Sequence, residues 1–332
     1  MERIANAASA MLTERLLPFW QALRDDTFGG YYGYMDFRHQ VDRKAEKGCI
    51  LNSRILWFFS EAAMGLGDGS LFPYARHAYL FLRDHCLDRD YGGVYWSVTY
   101  DGKPLDDSKH TYDQAFAIYA LSAYARLTGE EEPLALARSL FRLIEERCTD
   151  AEGYLEAFSR DFSPISNEKL SENGVMAERT MNTLLHVFEG YAGLYQASRD
   201  PAVGRAMERI LDIYAGRIYD PDRRRQKVFF DLDYRPLIDL TSYGHDIESS
   251  WLIDWGCKLL GKPALAEKIA AIDSDLARSV LRDAFDGASI ANECEEGRVD
   301  GHRVWWTSSA STRTGPTAGT PPPPSGGTSP KR

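Results

Sequence analysis

A glycine-containing turn returns along this chain at a near-constant interval, as Asp25-Asp-Thr-Phe-Gly-Gly-Tyr31, Asp88-Arg-Asp-Tyr-Gly-Gly-Val94 and Asp150-Ala-Glu-Gly-Tyr154. Gly30 to Gly93 is 63 residues, Gly93 to Gly153 is 60, and Asp286-Gly287 follows 134 residues after Gly153, about two further periods. A less regular turn, Tyr219-Asp-Pro-Asp222, falls where the missing period should lie. Self-similarity at a fixed period means one supersecondary unit used repeatedly, each copy burying its apolar face on its neighbours.

Between the turns the segments alternate in character. Leu134, Ala137, Leu140, Phe141 and Ile144 follow helical spacing with charges opposite, as do Met207, Ile210, Leu211, Tyr214 and Ile218, and Leu265, Ile269, Ile272, Leu276 and Val280. Such stripes read as outer helices with one wet face. By contrast, residues 50–63, 112–127, 181–195 and 247–260 are apolar or aromatic nearly all round, which predicts helices buried on every side. Each repeat then pairs an inner with an outer helix. The architecture expected is an all-α ring of helical hairpins, with small β-hairpins at one mouth from the short runs 92–98 and 227–231.

The charge balance narrows function. With 49 acidic against 39 basic residues, the net charge is -10, and no basic stripe of the kind that tracks phosphates is present. Arg223-Arg224-Arg225 is too short a run and reads as a solvated loop. No stretch reaches the ~18 apolar residues of a membrane span. Charges at Glu2, Arg3, Glu14 and Arg15 interrupt any signal-peptide core near the N-terminus. Five widely spaced cysteines form no metal or disulfide pattern and suit reduced thiols. A cytoplasmic protein without nucleic-acid or membrane partners is expected; its oligomeric state is not encoded in any visible pattern.

Ser242-Tyr-Gly-His-Asp-Ile-Glu-Ser-Ser-Trp251 sets an imidazole and two carboxylates at the mouth of one inner helix. His245 and Glu248 are three apart and share a helix face. Histidine takes and returns a proton near neutral pH, which suits proton shuttling. The alternative is a histidine that only packs a helix end. His245, Asp246 and Glu248 could also be metal ligands, but adjacent helical residues diverge by about a quarter turn, so neither metal nor cofactor is expected.

One ordered set of motifs is specific: Leu16-Leu-Pro-Phe-Trp20, Lys47-Gly-Cys-Ile-Leu-Asn-Ser-Arg-Ile-Leu-Trp57, Lys109-His-Thr-Tyr-Asp-Gln-Ala-Phe116, Leu170-Ser-Glu-Asn-Gly174, Met181-Asn-Thr-Leu-Leu-His186, Ser242-Tyr-Gly-His-Asp-Ile-Glu248 and Arg303-Val-Trp-Trp306. Over residues 11–306 it resembles the N-acylglucosamine 2-epimerase family of (α/α)6 barrels, and the Asn-Ser-Arg form around Arg54 is similar to the cellobiose 2-epimerase branch. The resemblance implies reversible C2 epimerisation of the reducing-end glucose of a β-1,4-disaccharide, through deprotonation to a cis-enediolate. It implies His245 as one of two acid/base histidines, Arg54 on the developing oxyanion, and Glu248 orienting His245 or assisting ring opening. Asn182, His186 and Tyr112 would bind sugar, and Trp306 would stack on a pyranose face. Plainer roles stay open: an ion pair for Arg54, a satisfied core histidine at 186, packing at Trp306.

The chain departs from this family after Trp306. The 26 residues from Thr307 to Arg332 hold no Leu, Ile, Val, aromatic or acidic residue and are rich in Pro, Ser, Thr and Gly. Such a segment is expected to be a disordered tail, of the kind an out-of-frame reading produces. Residues 1–306 would then be one epimerase domain, C-terminally incomplete, lacking the last hairpins and the second catalytic histidine that the family carries there. Rival readings are another sugar 2-epimerase or aldose-ketose isomerase on the same barrel, or a truncated sugar-binding remnant without catalysis. A glycoside hydrolase is disfavoured because it would need two carboxylates flanking a glycosidic oxygen.

Overall fold

The computed structural model describes residues 2–171, 174–295, 298–299 and 303–305. A helical N-terminal segment comprises α1 (Glu2–Met11) and α2 (Leu17–Ala22), joined through a π turn at Leu12–Leu16. Then come α3 (Cys49–Leu66), α4 (Phe72–Phe81), α5 (Thr111–Thr128), α6 (Glu131–Arg147), α7 (Met181–Ser198), α8 (Pro201–Ile213), α9 (Tyr243–Leu260) and α10 (Pro263–Asp283). The odd-numbered helices α3, α5, α7 and α9 are the inner set, packed in succession α3 on α5, α5 on α7 and α7 on α9. Helices α4, α6, α8 and α10 lie outside them. This is the expected helical-hairpin barrel.

The recurrent turn has one local design. Asp25, Asp88, Asp150, Asp220 and Asp286 each turn a carboxylate oxygen onto two backbone N–H groups two and three residues ahead. This side-chain mimicry of a backbone turn is what aspartate does well. In the first three repeats the second carboxylate oxygen takes a cation from the strand entering the inner helix: Asp25 from Lys47 at 2.7 Å, Asp88 from Lys109 at 3.0 Å, and Asp150 from Arg179 at 2.5 Å. The turn and the helix start are thereby locked together.

The short strands do more than form local hairpins. The strand before each inner helix pairs with a strand from the next repeat: 47–48 with 97–98, 109–110 with 157–158, 179–180 with 229–230, and 240–242 with 293–295. The first N–H of each inner helix donates to the same neighbour, Cys49 to Trp96, Thr111 to Glu156, Met181 to Val228 and Tyr243 to Asn292. Helix N-termini leave N–H groups without intrahelical partners, and here the adjoining repeat supplies them. The run at 227–231 forms the small hairpin expected of it, folding back on 235–237 through a Phe230–Pro236 bridge, and its buried Phe229 and Phe230 also pair with the strand entering α7.

Burial follows the expected division fully only in the middle two inner helices, since α3 is partly exposed. Helices α5 and α7 are buried almost all round. Helix α9 is not: Trp251 is 53% exposed, and its packing is against α7, α8 and α10. Apolar character on every side predicts burial only where neighbours exist on every side. Among the described residues, no helix is long and apolar enough to cross a membrane. The five cysteines are all free and buried. The segment 307–332, expected to be a disordered tail, lies outside the described residues, as does Trp306.

Candidate active site

The entry strands hold the four inner helices with their N-termini at one mouth, and the first three turns of those helices carry the candidate residues. Arg54 belongs to α3, Tyr112 and Phe116 to α5, Asn182, His186 and Glu189 to α7, and His245 and Glu248 to α9. The rotation of α7 is fixed by close approach to α5. A Cβ on Gly190 would lie 2.6 Å from the Ala115 carbonyl oxygen, and one on Gly193 would meet the Tyr119 ring at 2.7 Å. Only glycine lets these backbones come so near.

His186 is the centre of an aromatic and polar cluster. Its ring meets Tyr112 edge-on at 5.2 Å and lies 4.8 Å from Phe116, which also packs on Tyr112 at 4.9 Å and carries the Arg54 guanidinium at 4.7 Å. Among the described residues Arg54 has no hydrogen-bond or ion-pair partner, so the ion-pair reading finds no support in the geometry. An arginine held by an aromatic face keeps its donor fork available. Asn182 Oδ1 is likewise buried without a partner among the described residues.

The two histidines differ in their support. His245 Nδ1 lies 2.8 Å from Ser242 Oγ, so Ser242, not Glu248, orients its ring. His186 Nδ1 lies 2.7 Å from Glu189 Oε2. Burial and the neighbouring His186 push His245 down to about 4, so it is neutral at physiological pH. Burial raises Glu248 above its usual range, opposed by His186 and Arg54 and reinforced by Glu189. Tyr112 is pushed up to about 12 by burial, with Arg54 opposing and Glu248 reinforcing. These mutual influences bring Arg54, Tyr112, His186, Glu248 and His245 into one electrostatic neighbourhood.

Asp246 turns away from this group: its Oδ1 accepts from the Gln226 amide at 2.8 Å, and burial raises it to about 7. Among the described residues no group of three or more His, Cys, Asp or Glu is placed to hold a metal ion. The arginine run is absorbed by ion pairs, Arg223 and Arg225 with Asp239 and Arg224 with Asp275. Later turns of the inner helices line a cleft of about 440 Å³ with Trp57, Tyr119, Trp251 and Trp255.

Glu189 and Phe116 went unassigned in the sequence, although Glu189 carried a signal. The His-x-x-Glu spacing that singles out 245–248 recurs at 186–189.

The sequence profile of the N-acylglucosamine 2-epimerase (GlcNAc 2-epimerase) family matches residues 30–314. A cellobiose 2-epimerase of Eubacterium cellulosolvens is 52% identical over 316 residues, covering 90% of this chain and 78% of the relative. The crystal structure of a sugar epimerase from a ruminal bacterium superposes with a TM-score of 0.88 at 44% identity, over 90% of this chain and 76% of that one. The cellobiose 2-epimerase of Bacillus thermoamylovorans B4167 superposes with a TM-score of 0.87 at 40% identity, over 90% and 78%. These likenesses place the fold in the (α/α)-barrel class. Within that class, the chain belongs to the N-acylglucosamine 2-epimerase family.

Proposed function

We infer that this chain is a cellobiose 2-epimerase, converting the reducing-end glucose of a β-1,4-linked disaccharide to mannose and back. The observation that carries the reading is the gathering of Arg54, Tyr112, Asn182, His186, His245 and Glu248 at one mouth in a chain 52% identical to an enzyme of that name. The chemistry requires ring opening, removal of the C2 proton beside the carbonyl, and delivery of a solvent-exchangeable proton to the other face of a planar cis-enediolate. A base must therefore be unprotonated at working pH, and the enediolate oxygens need a fixed cation.

His245 meets the first need. It is neutral, and its contact with Ser242 through Nδ1 leaves Nε2 for the substrate. Arg54 meets the second, its guanidinium held over Phe116 with its donors uncommitted. Glu248, raised by burial, is suited to give and take the proton of ring opening. Asn182, His186 and Tyr112 would hold sugar hydroxyls, with Trp306 as a stacking platform. Residues 1–306 are assigned to one epimerase domain. Five buried free thiols suit a reducing cytoplasm.

The test is cellobiose incubated with the protein in deuterated water and followed by NMR. A mannose-ended product labelled at C2 is expected. A ketose-ended product would mark an aldose-ketose isomerase, and an unlabelled epimer an internal hydrogen shift. His245→Ala should lose ~10²–10⁴-fold in kcat, while the exposed His39→Asn should match the parent protein.

A further inference from the structure

His186 and Glu189 are one helical turn apart on α7, and both are buried, His186 with 4% and Glu189 with 8% of its surface exposed. Burial of two polar groups is costly unless each finds a partner, and these two find each other at 2.7 Å. The carboxylate has further neighbours on the axial side: the Tyr119 hydroxyl adjoins both Glu189 and Trp57, and Trp57 stacks on Tyr119 at 5.2 Å. The pair is also rigid from behind, because Gly190 and Gly193 seat this stretch of α7 directly against α5.

A carboxylate only accepts hydrogen bonds, so the imidazole nitrogen facing it must carry the proton. In the neutral ring that assigns His186 the tautomer protonated at Nδ1. Nε2 is then a lone-pair acceptor, and among the described residues it bonds to nothing. The ring is held from two further sides by Tyr112 and Phe116, so it cannot swing to offer the other edge.

We propose that Glu189 is a positioning residue that locks His186 as a hydrogen-bond acceptor toward the sugar, so that the site reads a donor hydroxyl at that point. This rests on the reading of the mouth as a sugar site but assigns a residue and a specificity that reading does not contain. A hydroxyl on the sugar satisfies Nε2. A substituent that cannot donate, such as fluorine in its place, leaves a buried acceptor unpaired, and a site built to bond a hydroxyl rejects such analogues strongly.

The test uses the full chain with 15N-labelled histidine and two variants, Glu189→Gln and Glu189→Asp. Long-range 1H–15N spectra, with His186 assigned by its loss in His186→Asn, should show the Nδ1-protonated tautomer in the parent protein. Glu189→Gln, whose amide can donate to Nδ1, should shift His186 toward the Nε2-protonated form and lower kcat/KM for cellobiose by roughly 10- to 100-fold, the size of effect expected from losing one buried hydrogen bond to a charged group. Glu189→Asp, which keeps an accepting oxygen, should recover part of that loss. Retained thermal stability in Glu189→Gln would separate this effect from unfolding. An unchanged tautomer in Glu189→Gln, or kinetics within about twofold of the parent, a difference under ~0.5 kcal/mol, would overturn the proposal. The tautomer is read without turnover, so the proposal about Glu189 can fail while the epimerase reading stands, and the reverse.

Discussion

Replacing Asp88 by alanine should cost more than any single surface change in this protein. The two carboxylate oxygens of Asp88 serve five donors: Lys109 Nζ at 3.0 Å, Arg160 Nε at 2.8 Å and Nη2 at 3.0 Å, and the backbone N–H groups of Asp90 and Tyr91 at 3.0 and 3.3 Å. The side chains of both Asp88 and Lys109 are fully shielded from solvent. Without the carboxylate, the Lys109 ammonium keeps only the faces of Tyr95, 4.3 Å away, and Phe162, 6.0 Å away, among the described residues. Breaking a buried pair from one side costs about 3–5 kcal/mol, because a charge is left buried and uncompensated. At roughly 1.5 °C per kcal/mol for a chain of this size, the melting temperature should fall by about 4–8 °C. Asp90→Ala is the control: its carboxylate is 73% exposed and touches only Arg160, a contact worth about 1 kcal/mol or less.

The pH dependence has a definite sign. Burial alone would raise Asp88, but the bonds from Arg160 and Lys109 outweigh it and hold the carboxyl well below the usual range. A group depressed in the folded state stabilises above its unfolded pKa of about 3.9 and loses that contribution as pH falls through the folded value. The gap between the parent protein and Asp88→Ala should thus be full at pH 7 and close only in strong acid. Thermal and urea melts at pH 7 and pH 3 measure both. Equal shifts for Asp88→Ala and Asp90→Ala at pH 7 would refute the reasoning.

Two further outcomes follow from the site. With His245 pushed down to about 4, the acid limb of kcat/KM should fall near pH 4, not near the ordinary histidine value of about 6.5; a limb at 6.5 would mean that a different group limits the reaction. Gly190→Ala should destabilise by about 1–3 kcal/mol and lower activity, since the new methyl meets the Ala115 backbone at 2.6 Å. Gly65→Ala, at a helical position with no atom within 4 Å of the added carbon, should instead be neutral or stabilising by up to ~1 kcal/mol in thermal melts.

The sequence by itself determined the repeat, the alternation of inner and outer helices and the residue types available for chemistry. These are local: an aspartate two and three residues before the N–H groups it caps makes the same turn at Asp25, Asp88, Asp150, Asp220 and Asp286, and a stripe at helical spacing buries one face wherever it lies. His245 and Glu248 were legible as candidates from their spacing at the start of an apolar helix, and Arg54, Tyr112, Asn182 and His186 only through the resemblance of their motifs to the family. Tertiary structure decided what such a pattern cannot carry, namely which partner each group meets. The spacing His-x-x-Glu occurs twice, yet His186 bonds its glutamate while His245 bonds Ser242. Spacing fixes which residues share a helix face, whereas rotamer and packing choose among them. The pairing of each entry strand with the following repeat was equally hidden, because two-residue strands have too short a pattern to show register, and only the closed approach of neighbouring repeats brings their backbone groups together. Exposure of Trp251 makes the same point from the other side: an apolar helix states what it can bury, and its neighbours decide what is buried.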